Sequence, residues 1–338
     1  MREIIVPRHG SPDVMEVRES PIPEPGPGEV RIRVKAAGVS FLDILARAGH
    51  YPDSPKLPFI PGFEVSGYVD AVGPGPGRHE VGRHVVALVR YGAYADMVLA
   101  PADQVFGVPP NLSHNEAAAV PISYLTALVS LYRMANLKGG EWVLIQGAGG
   151  GVGTAALQLA RLRRAAVIGT ASVSKHNALR SFGVDHVLDH NSAELEKDVL
   201  RITRGRGVDV VLDALGGEQV LRSYRMLAPM GRLVSLAAQD LVATQHRGLV
   251  RSLQAHWQAP KFGVAELMSD NRTVIGLHLL RLWKERRLVS GAMEALLTDL
   301  SSGRLKPVIA KTFPLARATD AHKFIQDRSN IGKVVLTV

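Results

Sequence analysis

The sequence predicts an α/β fold in which a doubly wound parallel sheet is joined to a second, smaller, barrel-like β domain. Three observations carry that prediction. Short strands broken by Gly and Pro crowd the first third of the chain. From about Asn115, apolar runs of strand length alternate with stretches of helical periodicity. In their midst, Trp142–Gly153 reads as strand, glycine turn and helix start. At 338 residues the chain exceeds most single domains, so two domains are expected.

Met1–Val6 reads as a strand. Pro21, Pro23, Pro25 and Pro27 keep Ser20–Val30 out of a helix. Val30, Ile32 and Val34 then alternate with Arg31, Arg33 and Lys35, the pattern of a half-buried strand. A short helix runs through Arg47 to the loop Ala48–Pro52. Pro58–Gly67 leads into another strand, and Val69–Val72 and Val85–Val89 add more. Glu116–Val120 and Tyr124–Ala135 read as helices. Strands at 142–146, 166–170, 186–188, 209–213 and 231–236 then alternate with helices at 154–163, 174–182, 194–203 and 219–227. Arg272–Leu277 offers a last strand. Gln239–Asp270, with Trp257 and Phe262, reads either as a lid over a pocket or as a long connection. The tail reads as an amphipathic helix from about Leu279, a strand at 308–313, a helix at 318–327 and a closing strand at 332–338 that returns to the first domain.

The glycine turn carries the chemistry. Trp142–Gln146 is an apolar run suited to a buried parallel strand. Ala148 occupies the first glycine position of the dinucleotide fingerprint, with Gly150 and Gly153 at the fingerprint spacing and Gly151 and Val152 between them. Backbone N–H groups and the positive helix end would point there at a pyrophosphate; the alternative is an ordinary Gly-rich turn. An NAD site places an acid on the ribose about 20 residues past the glycines. Here no acid appears between Ala166 and Asp185, and Ser172 and Lys175 stand in that stretch as donors. A positive donor set suits a 2′-phosphate, so NADPH is the expected cofactor. The alternative is a solvated helix start.

Composition excludes several classes. With no cysteine there are no disulfides and no thiolate metal ligands, which fits a reducing, cytoplasmic setting. No apolar run approaches the roughly 20 residues of a membrane span, and the amino terminus does not read as a signal peptide. A net charge of +9 is spread along the chain and reads as a basic solvated surface, with no nucleic-acid partner expected.

The order Gly38-Val39-x-x-x-Asp43, Pro61-Gly62-x-Glu64-x-x-Gly67 and then the glycine turn resembles the medium-chain dehydrogenase/reductases. Within them the chain is similar to the zinc-free quinone oxidoreductase group, and Gly169–His176 and Asn330–Leu336 resemble the vesicle amine transport protein homologue branch. The resemblance covers essentially the whole chain. It implies a Rossmann-type domain at 123–278 and a GroES-like catalytic domain at 1–122 and 279–338. Where zinc-dependent relatives carry Gly-His-Glu, this chain has Gly62-Phe63-Glu64. Catalytic zinc needs three protein ligands, and Glu64 alone does not supply them. His9, His50, His79 and His84 read as surface or polar-core residues, so no metal is expected.

The resemblance further implies hydride transfer to a quinone or an α,β-unsaturated carbonyl compound. Tyr51 matches a tyrosine of enoyl-thioester reductases, placed to donate a proton or a hydrogen bond; the alternative is a packed ring. Ser40 stands where quinone reductases of the family carry Asn. Asp43 either orients a polar network or is a helix N-terminal acid. Thr126 matches a residue near the nicotinamide, His190 stands where relatives stack a Tyr on the adenine, and Asn330 corresponds to a cofactor-side position in the tail. The remaining alternatives are an enoyl-thioester reductase acting on acyl thioesters and a non-catalytic NADPH-binding protein that attaches to lipid, RNA or a partner protein. The family resemblance also implies a homodimer, with Arg272–Leu277 pairing across a two-fold axis.

Overall fold

The computed structural model describes residues 1–51, 53–75, 79–236 and 261–338. The chain divides into two compact units, Met1–Leu125 with Leu279–Val338, and Thr126–His278.

The first unit opens with β1 (Arg2–Ile5) and β2 (Glu16–Glu19), an antiparallel pair. Its main sheet begins with β3 (Glu29–Val39), where alternation buries Val30, Ile32 and Val34. Helix α1 (Phe41–Ala48) follows and ends at Gly49, which takes the left-handed conformation of a helix C-cap. Then come β4 (Glu64–Val72), β5 (His84–Leu88), β6 (Met97–Pro101) and β7 (Val105–Gly107). The strand expected to follow Pro58–Gly67 and the one expected at 69–72 are one element, β4. β2, β6 and β7 had too little apolar alternation to be read in advance. Helix α2 (His114–Ala118) starts at a Ser113–Glu116 capping box. The helix expected at Tyr124–Ala135 begins earlier, at Pro121, whose missing N–H costs nothing in a first turn. It runs as α3 (Pro121–Leu128) into a wider π turn at Val129–Met134.

The second unit carries β8 (Trp142–Ile145), α4 (Gly151–Leu162), β9 (Ala166–Ala171), α5 (His176–Ser181), β10 (His186–Asp189) and α6 (Leu195–Ile202). It continues with β11 (Val208–Asp213), α7 (Glu218–Arg225), β12 (Leu227–Ser235), α8 (Val264–Asp270) and β13 (Thr273–Gly276). Among the described residues its strands form one parallel sheet in the order β10-β9-β8-β11-β12-β13. β8 lies inside the sheet, so Val143, Leu144 and Ile145 are fully buried. The order reverses direction between β8 and β11, and the crevice outside the carboxyl ends of such strands is the ligand-binding point of open α/β sheets. Of the segment expected as a lid or a connection, Trp257 lies outside the described residues. Phe262 packs 5.0 Å from the Tyr224 ring.

The tail returns to the first unit with α9 (Arg286–Ser301), β14 (Ile309–Pro314), α10 (Ala318–Gln326) and β15 (Lys333–Thr337). β15 pairs antiparallel with β3 and parallel with β14. The first unit's main sheet therefore runs β14-β15-β3-β4-β5-β7, with β6 added to β3. This is the return of the closing strand that the sequence suggested.

Candidate functional site: a glycine-opened helix and a buried polar pocket

In the second unit, β8 delivers the chain into the turn Gly147–Gly150. Gly147 holds φ +72°, a left-handed conformation that an L side chain rarely adopts. The tight-turn glycine therefore precedes Ala148, which is why the first fingerprint position tolerates a methyl group. That methyl is fully buried against β9, where Gly169 leaves it room. Gly153 is needed for a different reason. A Cβ there would come within 2.6 Å of Ala148 O and closer still to Gly147 O, so it lets α4 pack against the turn. Gly150 is open: a Cβ would meet nothing nearer than Gly147 O, at 3.6 Å. The N–H groups of Gly151, Val152 and Gly153 form the first helical turn, where no helix carbonyl can accept them.

A chain of buried polar groups fixes this turn from below. Thr170 Oγ1 donates to Gln146 Oε1 at 2.5 Å and accepts the Gly147 N–H at 3.4 Å. Gln146 Nε2 donates to Ser223 Oγ at 3.3 Å, and Ser223 donates to Asp213 Oδ2 at 2.6 Å. Asp213 Oδ1 then accepts the N–H groups of Leu215 and Gly216, at 2.8 and 2.9 Å. The loops after β8 and β11, which flank the point where strand order reverses, thus hang on one network. The sequence reading missed it, although Gln146, Thr170 and Asp213 are visible as polar ends of apolar runs.

The loop after β9 lies on the same side of the sheet. Lys175 is brought to the glycine turn: a Cβ on Gly149 would meet its Cδ at 2.9 Å. Ser172 is half-buried, and its hydroxyl lies 3.2 Å from that of Ser174. The His190 N–H donates to Ala171 O at 3.3 Å, which places this residue beside the end of β9. Its ring lies 3.8 Å from Asp189. Ser172, Lys175 and His190 are therefore gathered with Ala148–Gly153 at one end of one sheet. Thr126 is buried on α3.

The first unit assembles Ser40, Asp43, Tyr51 and Glu64. Asp43 is fully buried in α1. Its Oδ2 accepts the Ser40 backbone N–H at 2.7 Å and the Ser40 hydroxyl at 3.0 Å, and its Oδ1 accepts the Gly62 N–H at 2.9 Å. Burial raises its pKa to about 6 against those hydrogen bonds and nearby Lys333. Both readings of Asp43 thus describe it, as a helix N-terminal acid and as an organiser of a polar network. Both of its carboxylate oxygens are hydrogen-bonded within the fold. Tyr51 is buried with its ring edge-on to Phe63 at 6.4 Å. Desolvation, with Tyr91 and Asp53 adding to it, holds its phenol proton more tightly than usual. Asn330 sits in the loop before β15, and its side-chain amide donates to Gly332 O at 2.9 Å.

Glu64 is also fully buried. Its Oε2 accepts the Ile122 N–H at 2.8 Å, and its Oε1 lies 2.5 Å from the Lys333 ammonium, itself 5% exposed. Gly38 makes room, since a Cβ there would meet Glu64 Oε1 at 2.5 Å. Phe63 packs its ring 4.8 Å from that of Tyr91. Among the described residues no group of three or more His, Asp or Glu side chains is arranged to hold a metal ion. Two of the histidines have ordinary structural partners. His79 Nε2 lies 2.7 Å from Ala102 O, and His84 meets Ser66 Oγ at 3.1 Å.

Profiles of known families match two parts of the chain. The alcohol dehydrogenase GroES-like domain matches residues 26–110, and the zinc-binding dehydrogenase profile matches residues 182–336. The human synaptic vesicle membrane protein VAT-1 homolog is 37% identical over 339 residues, covering 99% of this chain and 86% of that protein. The chain belongs to the medium-chain dehydrogenase/reductases. Within that family it falls in the zinc-free quinone oxidoreductase-like branch near the VAT-1 homologues. The quinone oxidoreductase of Thermus thermophilus, solved also in complex with NADPH, superposes with a TM-score of 0.82 at 35% identity over 100% of both chains. The CurK enoyl reductase superposes with a TM-score of 0.85 at 29% identity, over 99% of this chain and 98% of that one. As a medium-chain reductase the protein is an oxidoreductase. Among the described residues no helix is long and apolar enough to cross a membrane.

The two fingerprint glycines are expected to separate sterically. Gly153→Ala should cost about 1–3 kcal/mol through overpacking, read as a lowered urea midpoint. Gly150→Ala should stay within about 1 kcal/mol of the parent. Equal losses in the two variants would contradict the packing role given to Gly153.

Proposed function

We propose that this medium-chain reductase is an NADPH-dependent, zinc-independent reductase of quinones or α,β-unsaturated carbonyl compounds. The observation that carries the reading is the juxtaposition of Lys175 with an open, glycine-led helix start, at the carboxyl end of the sheet's strands and without an acid at the ribose position. The residues present fit the cofactor. Gly150 leaves space where a side chain would obstruct a pyrophosphate, and the N–H groups of Gly151, Val152 and Gly153 would hold its oxygens. Ser172 and Lys175 would hold the 2′-phosphate, and the imidazole of His190 would lie along the adenine. Thr126 and Asn330 are assigned to the nicotinamide end by resemblance. Bound NADPH supplies the hydride, and the protein supplies position and a dry setting.

Zinc-independence is supported by Glu64. Its carboxylate is neutralised by the buried Lys333 ammonium and hydrogen-bonded by Ile122, so it is not left to coordinate a cation. Tyr51 is the proton-bearing group. Its phenol keeps its proton throughout the neutral range and donates to the oxygen that becomes negative when a conjugated carbonyl is reduced. Asp43 is a positioning residue, because both carboxylate oxygens are used inside the fold. A narrower reading, enoyl-thioester reduction, draws on Tyr51 and on the likeness to the CurK enoyl reductase.

The sheet edge supports a homodimer. Among the described residues β13 pairs only with β12, and Met230, Val264 and Met268, each more than 70% exposed, lie with Asn271 and Thr273 beside it. Exposed apolar side chains next to an open strand edge are what a second copy would cover.

Steady-state NADPH oxidation with 9,10-phenanthrenequinone and with crotonyl thioesters tests the reading. Turnover with either is expected, and Tyr51→Phe should lower the enone or thioester rate at least ten-fold. Tight NADPH binding without turnover on any acceptor would favour the non-catalytic alternative. Lys175→Ala should weaken NADPH by about ten- to hundred-fold, the worth of one charge-assisted hydrogen bond, and leave NADH nearly unchanged. A loss shared equally by both cofactors would end the 2′-phosphate role. Sedimentation should show a dimer that Met268→Glu weakens; a monomeric parent protein would reject the edge pairing.

A further inference from the structure

Away from Asp43 and Tyr51, the first unit carries a pair of imidazoles that the proposed chemistry does not use. Ser66 of β4 is fully buried, and its hydroxyl donates to Val85 O at 3.0 Å. The same oxygen lies 3.1 Å from His84 Nε2, on β5, and 3.1 Å from His114 Nδ1, on the first residue of α2. A carbonyl only accepts, and a hydroxyl has one proton. That proton is spent on Val85, so both imidazoles donate to Ser66. His84 therefore carries its proton on Nε2 and His114 on Nδ1. The two ring centres are 4.0 Å apart, and the Tyr68 ring stands edge-on to His114 at 4.8 Å.

With both rings neutral this cluster is satisfied, and it ties α2 to two strands. Acid adds its proton at His84 Nδ1 or His114 Nε2, away from Ser66. Protonation therefore breaks no hydrogen bond in the cluster; its cost is charge. One imidazolium would face a second ring 4.0 Å away. His114 also opens a helix, where the N-terminal dipole disfavours a cation. The groups facing the pair are Ser66 and Tyr68 from β4 and Lys35 from β3, and among the described residues no carboxylate pairs with either ring. The acid on α2, Glu116, accepts the Ser113 N–H and hydroxyl at 2.9 and 2.7 Å. The lysines of the other strands packed on α2 are engaged elsewhere. Lys333 of β15 pairs with Glu64, and Lys311 of β14 lies over the Phe313 ring. Burial, then His84 and Lys35, push the His114 pKa down to about 4, and burial lowers that of His84.

What α2 holds in place matters to the rest of the unit. Its Ala118 O lies where a Cβ on Gly38 would come within 2.6 Å, so glycine lets the helix lie close on β3. Ala118 and Ala119 pack there with Ala36 and Val335. Just past α2, the Ile122 N–H donates to the buried Glu64 carboxylate at 2.8 Å, and α3 follows with Thr126.

We propose that His84 and His114 form an acid-sensitive latch: neutral, they hold α2 on the sheet through Ser66, and their protonation releases α2 together with the Ile122 anchor on Glu64. A histidine held low in the fold regains an ordinary pKa of about 6.5 once its segment undocks. The latch therefore contributes its full stability above pH 6.5 and loses it as the pH falls from there toward 4. It regulates the scaffold around the buried acids and does not depend on the reductase reading.

Hydrogen exchange on the whole protein tests the latch without turnover. Protection factors, which remove the intrinsic pH dependence of exchange, are compared at pH 7.5 and pH 5, above the ordinary carboxylate range. The amides of Ala117, Ala119, Val120 and Ile122 should lose about ten- to thirty-fold in protection at pH 5, while those of β4 and β5 hold. The double variant His84→Gln, His114→Gln keeps an N–H donor at each position and takes up no proton, so its α2 protection should be the same at both pH values. An equal fall in that variant would overturn the latch, as would unchanged protection in the parent protein. A fall shared by α2, β4 and β5 would show global acid unfolding and reject a local release. If the double variant does not fold, imidazole 15N shifts of the parent at pH 7.5 decide. They should show a protonated Nε2 on His84 and a protonated Nδ1 on His114, and either opposite tautomer would overturn the arrangement. Failure of the NADPH oxidation assay would reject the reductase reading and leave these measurements unaffected.

Discussion

A carboxylate taken out of water costs several kcal/mol unless it is paired or hydrogen-bonded, and that constraint decides where the loops of this protein sit. Asp43, Glu64 and Asp213 are all fully buried. Each accepts backbone N–H groups from a turn or a helix start further along the chain. Asp43 takes Gly62, Glu64 takes Ile122, and Asp213 takes Leu215 and Gly216. A loop caught this way has few alternatives, because releasing it leaves a buried charge with too few partners. Both units thus position their functional backbone with the same device, a buried acid reaching forward to a turn.

The Glu64–Lys333 pair ties the tail to a strand from the first part of the chain. The glutamate of the Gly-x-Glu pattern is present, but its negative charge is balanced by an ammonium carried on the last strand. The aromatic ring of Phe63 fills the position next to it. The tail is therefore more than an added edge to the sheet. It completes the electrostatics of a strand that begins more than 260 residues earlier, and its pairing with β3 brings Lys333 to the Glu64 carboxylate, for which Gly38 leaves room. The tail helix does the same with His322, which reaches Arg47 of α1.

The two buried networks differ in what they do. In the second unit, Thr170, Gln146, Ser223 and Asp213 link backbone elements at the carboxyl ends of three adjacent strands, and their effect is geometric. In the first, Arg47, His322 and Tyr94 are joined in series, and the arginine, which only donates, sets which imidazole nitrogen accepts. Buried networks of this kind are stable only when every member is satisfied, so each acts as a unit.

The sequence by itself determined the architecture. Strand-length apolar runs, the glycine turn and the proline punctuation are local signals, and they placed β8, β9, β11, the helices between them and the closing strand to within a few residues. It also pointed to Lys175 beside the glycine turn, where the structure has it, because the second βα turn of such a sheet lies beside the first. What it could not supply were pairings between distant positions. Glu64 with Lys333, Arg47 with His322 and Gln146 with Ser223 bring together residues 269, 275 and 77 positions apart. No periodicity encodes those contacts. Burial decides them, since once the strands and helices pack, each enclosed polar group must find a partner among whatever side chains the tertiary fold has brought within reach.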